Sequence, residues 1–73
     1  MKAKDRKQIL NEINRLHMLL EWTRKAYETS ENLEIHLENC NLDWEKQSVL
    51  TEELGYKVRD METELIKLNN KLN

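Results

Sequence analysis

The sequence predicts an all-α fold organised by a coiled-coil seam: a long, near-continuous helix that associates as a dimer or a higher bundle. Three observations lead there. Leu54, Val58, Met61, Leu65, Leu68 and Leu72 recur at alternating steps of four and three residues. That 3.5-residue period marks a narrow apolar stripe that needs another helix against it. Charged residues make up 36% of the chain, with no proline and one glycine, the composition of long helices. β-branched and aromatic residues are sparse and no run alternates, which argues against strands. The same observations admit one alternative, an antiparallel helical hairpin with a turn within residues 28–43.

Size limits what such a chain can bury. Seventy-three residues make one small domain at most, so residues 1–73 read as a single coiled-coil segment that needs a partner to be comfortably stable. Cys40 is the only cysteine, which excludes an internal disulfide framework. A lone thiol fits a reducing, cytoplasmic setting. No apolar run approaches the roughly 20 residues of a membrane span, so no membrane role is expected. Net charge is −2. The ends are mildly basic, and residues 21–56 carry nine acidic against three basic groups.

At the start, Asp5 and Gln8 have the spacing of a capping box ahead of Ile9 and Leu10. Ile9, Ile13, Leu16 and Leu20 open a first seam, which weakens through Thr23, Tyr27 and Ser30. Leu19, Trp22 and Ala26 widen its apolar face. At residues 29–32 the apolar rhythm slips by three, to Leu33, Leu37, Cys40 and Trp44. An insertion of three overwinds a coiled coil, and a turn would reset the phase equally well, so 29–32 is the first candidate for a kink or turn. The stretch 39–43 is the second, since Asn41 or Asp43 could cap a new helix. From Leu33 onward one register holds through Gln47 and Thr51 to Leu72. An unbroken helix of 70 residues would be roughly 105 Å long and would have to bury its seam against a second chain.

Three features lie off the seam. Ile35, Leu42, Val49 and Tyr56 form an apolar column on the back of that helix, beside an acidic column of Glu31, Glu38, Glu45 and Glu52. Single exposed apolar residues are ordinary, but four in a column read as a partner face. It would suit a further helix, or a protein basic at its rim. Lys57 and Glu62 would pair across a parallel dimer, while the other flanking pairs leave orientation unspecified. Gly55 sits beside the seam, a weak spot in the helix.

Candidate chemistry is thin. His36 and Cys40 share a helix face, and two parallel chains could offer two His and two Cys to zinc. No second half-motif accompanies them, so no metal or cofactor is expected. His17 beside Glu21 lacks a nucleophile or cleft. The basic start, Lys2, Lys4, Arg6 and Lys7, is too short a signal for nucleic acid, and the acidic middle counts against it. The sequence therefore reads as a non-catalytic oligomerisation or scaffold element, a homo-oligomer joined through its seam and a segment of a longer rod. The seam comprises Ile9, Ile13, Leu16, Leu20, Leu33, Leu37, Cys40, Trp44, Leu54, Val58, Met61, Leu65, Leu68 and Leu72. The alternative function is a hairpin adaptor or chaperone that holds a helical partner on Ile35, Leu42, Val49 and Tyr56.

Overall fold

A computed structural model describes residues 2–72. Two helices, α1 (Ala3–Asn39) and α2 (Glu45–Leu72), lie antiparallel and are joined by residues 40–44. The fold is all-α, and it is the hairpin rather than the near-continuous helix. The body measures 58 × 15 × 14 Å. Its long axis is about the length of α1 alone at 1.5 Å per residue.

The reversal is built from local chemistry. Asn41 takes φ 59°, the left-handed conformation that Asn tolerates better than other non-glycine residues. Leu42 N–H donates to the Leu37 carbonyl at 2.9 Å and Asn41 N–H to the Glu38 carbonyl at 3.1 Å. These two bonds form a Schellman closure, which satisfies carbonyls the helix would otherwise leave open. Two residues later, Asp43 Oδ1 accepts the Glu45 N–H at 3.1 Å. A carboxylate there also complements the positive end of the α2 dipole.

Residues 29–32 are neither kink nor turn, since α1 runs straight through them. The hydroxyls of this stretch, good N-cap types, have other partners. Thr29 Oγ1 donates to the Lys25 carbonyl one turn back, and Ser30 Oγ bonds across to Thr51. The capping box at Asp5 is likewise not formed, because the helix begins at Ala3 with Lys2 as its cap residue and no side-chain bond there.

The seam closes within the chain. From α1, Ile9, Ile13, Leu16, Leu20, Thr23, Tyr27, Ser30, Glu34 and Leu37 are buried or half-buried; from α2, Gln47, Thr51, Leu54, Val58, Met61, Leu65, Leu68 and Leu72 are. The first register therefore never slips. Leu33, Cys40 and Trp44, assigned to the seam by apolar rhythm, are exposed. Ser30 and Glu34 occupy the seam positions instead. The apolar core is Ile13, Leu20, Leu65 and Leu68, with Ile9, Leu16, Val58, Met61 and Leu72 packed on it. It lies in the half of the hairpin away from the connection.

Substitutions at three positions test this architecture. Leu20 is only 4% exposed, so Leu20→Ala should cost about 2–4 kcal/mol in urea unfolding, while Leu33→Ala should stay within about 0.5 kcal/mol at protein concentrations low enough to keep the hairpin monomeric. Asn41→Val should destabilise by about 1–2 kcal/mol, because a β-branched residue is strained at positive φ, and Asn41→Gly should be neutral or better.

Candidate association surface

Near the connection the seam turns polar, and the polarity is fully used. Gln47 Nε2 donates to Ser30 Oγ at 2.5 Å, Ser30 Oγ and Thr51 Oγ1 lie 2.7 Å apart, and Thr51 Oγ1 donates to the Gln47 carbonyl at 2.9 Å. Thr51 has thus committed its proton, so Ser30 donates to Thr51 and accepts from Gln47. The ring ties α1 to α2 in one register. Among the described residues no buried side-chain N or O atom lacks a partner. Buried polar atoms are costly unless bonded, and a bonded layer of this kind can fix register.

The two flanks of the seam differ. On one, Arg24 Nη2 meets Glu62 Oε1 at 2.9 Å, and the Tyr27 ring lies over Gly55. A Cβ at Gly55 would sit 3.2 Å from Tyr27 Cε2, so the glycine makes room for a ring of the same chain. Glu62 pairs with Arg24 inside the hairpin, and not with Lys57 across a parallel dimer. Exposed ion pairs contribute little, about 0–1 kcal/mol, so this one marks the register more than it stabilises it.

The other flank is apolar and open. A groove of about 510 Å³ runs between the helices, with Ala26 and Leu33 on one side, Leu50 and Leu54 on the other, and Lys57 and Glu53 at its rim. Helical spacing extends this face along α1 through Trp22 to Leu19. Trp22 is 63% exposed, Leu50 51%, Leu33 45% and Leu19 40%. The slip in the apolar rhythm is therefore physical: the stripe leaves the seam after Tyr27 and moves round to this flank while the helix continues straight. Heptad counting recorded the slip and misassigned its cause.

The column expected as a partner face is broken by the reversal. Ile35 is on α1, Leu42 in the connection, and Val49 and Tyr56 on the outer side of α2; all four are exposed. Tyr56 donates to Glu52 Oε1 at 3.0 Å. That hydrogen bond, reinforced by the carboxylate charge, holds the phenol pKa above its ordinary value, and the Arg59 guanidinium opposes it. Arg59 lies 5.7 Å from the ring centroid.

Groups with potential chemistry lie at two separate places on the surface. His36 Nε2 and Cys40 Sγ are 3.8 Å apart and exposed at the connection end. Among the described residues no three His, Cys, Asp or Glu side chains gather as metal ligands. His17 and Glu21 border a shallow polar depression with Arg24 and Glu28. Among the described residues no helix is long and apolar enough to cross a membrane. No protein-family model, curated protein or solved structure matches the chain.

Breaking the ring by Ser30→Ala should lower the unfolding free energy by about 1–3 kcal/mol in chemical denaturation. Replacing Ser30, Gln47 and Thr51 together with Val, Leu and Val should recover the loss, since no orphaned polar atom remains. In a Tyr27→Phe background, Glu52→Ala should move the Tyr56 titration back towards the ordinary tyrosine value, followed by tyrosinate absorbance.

Proposed function

We propose that the chain is a non-catalytic self-assembly element, a helical hairpin that reaches its working stability as a homo-oligomer and serves as a scaffold or joint. The observation that carries this reading is surface area. The hairpin exposes 6010 Å², whereas a compact monomer of 8.9 kDa exposes about 4,800 Å², an excess of about 1,200 Å². A standard interface removes about 800 Å² from each partner. Among the described residues only four apolar side chains are buried within one chain, too few for a comfortable single core at this size.

The seam is already occupied by the hairpin's own second helix, so assembly uses the open flank. A non-catalytic role is supported by where these groups lie: His36 and Cys40 sit together on the exposed connection end, and His17 borders an open depression whose lining holds no hydroxyl or thiol. The free, exposed thiol of Cys40 fits a reducing cytoplasmic compartment. A second reading, the hairpin adaptor, draws support from the groove itself, whose length and apolar walls would also take an amphipathic helix of another protein.

Sedimentation equilibrium over a hundredfold range of concentration tests the assembly reading. The expected mass rises from 8.9 kDa towards twice that value, while the Leu33→Glu, Leu50→Glu double variant stays monomeric with an unchanged helical signal. A wild-type chain that remains monomeric throughout contradicts self-assembly and leaves the adaptor reading.

A further inference from the structure

The open flank also carries information about how two copies would meet. Leu19 and Leu33 lie seven residues either side of Ala26, and Glu53 and Lys57 two residues either side of Gly55. The Tyr27 ring covers Gly55, which sets Ala26 and Gly55 at one level of the hairpin. The Leu19–Leu33 and Glu53–Lys57 pairs are therefore centred at the same level. The residue at the centre of the α1 face is small, which lets two helix backbones approach closely.

Resting on the self-assembly reading, we propose that a second copy of this chain covers the flank antiparallel to the first, related by a two-fold axis at the level of Ala26 and Gly55, giving a four-helix bundle. In that arrangement Leu19 of each copy meets Leu33 of the other. Leu50 packs towards the other copy's Leu19 and Trp22. Lys57 of each copy faces Glu53 of the other, so the rim charges pair twice. A two-fold interface must be self-complementary, with each contact made reciprocally. A parallel dimer on the same flank fails that requirement electrostatically. Its two-fold axis would run along the helices and place α1 of each copy opposite α2 of the other, which sets Lys57 of one copy against Lys25 of the other at the same level. Like charges placed together act against the wrong arrangement more strongly than matched charges favour the right one.

Charge reversal reads the arrangement directly. Lys57, Glu53, Leu19 and Leu33 are exposed in the hairpin, so their replacement leaves it folded, as the far-ultraviolet circular dichroism of each variant verifies. At low salt, Lys57→Glu and Glu53→Lys should each raise the dimer dissociation constant about tenfold, because two exposed pairs turn repulsive. The double reversal should return it to within about twofold of wild type. In a Cys40→Ser background, mixing Leu19→Cys and Leu33→Cys chains under mild oxidation should yield the mixed disulfide dimer. Neither variant alone should cross-link. A dimer that ignores the charge reversals, or one in which each cysteine variant cross-links with itself, overturns the antiparallel arrangement and leaves self-assembly standing. A wild-type chain that never dimerises overturns both.

Discussion

An apolar stripe can be buried only once, and this chain buries most of its stripe against itself. Asn41 and Asp43 turn the backbone round, so the heptad residues of α2 meet those of α1 within one molecule. Everything else in the structure follows from that closure. Where the seam is apolar, from Ile9 to Leu20 and from Val58 to Leu72, it forms the core. Nearer the connection Ser30, Gln47 and Thr51 replace the apolar residues and form a closed hydrogen-bond ring. The displaced Leu33 lies with Leu50 on one flank, where each stays about half exposed.

This division assigns different tasks to different parts of the hairpin. The apolar half supplies burial, at roughly 1.5–3 kcal/mol for each fully buried side chain. The polar ring adds little net stability but penalises any other pairing of the helices, since a shifted register would orphan its members. The Arg24–Glu62 pair and the Tyr27–Gly55 contact act in the same direction, as a lock on register. The open flank has neither lock nor cover within the chain. Its symmetry about Ala26 is the feature that the proposed antiparallel dimer explains.

Much of this was legible in the residues. Every α2 seam position, including the polar Gln47 and Thr51, was readable from the 3.5-residue period, as was the α1 seam as far as Ser30. The reversal was harder to read for a specific reason. From Leu37 to Gln47 the steps through Cys40 and Trp44 are three, four and three residues, so the connection happens to preserve the heptad count even though it is not helical. Continuity of phase masked loop chemistry that Asn39, Asn41 and Asp43 stated openly. The slip at 29–32 misled in the opposite direction. Periodicity locates apolar residues but does not say which neighbour they face, and Leu33 was taken for a seam residue when it belongs to a second surface. The column of Ile35, Leu42, Val49 and Tyr56 failed with the straight helix on which it depended.

The central claim is that the seam closes within one chain. Energy transfer between dyes on cysteines introduced at Leu10 and Asn69, in a Cys40→Ser background, measures it most directly when doubly labelled chains are diluted into a large excess of unlabelled protein. Both positions are exposed and lie on the same flank of the hairpin. Closure within the chain predicts strong transfer that dilution leaves unchanged. Transfer that is weak, or that disappears as unlabelled chains replace labelled neighbours, would mean that the seam closes between molecules and would contradict the account.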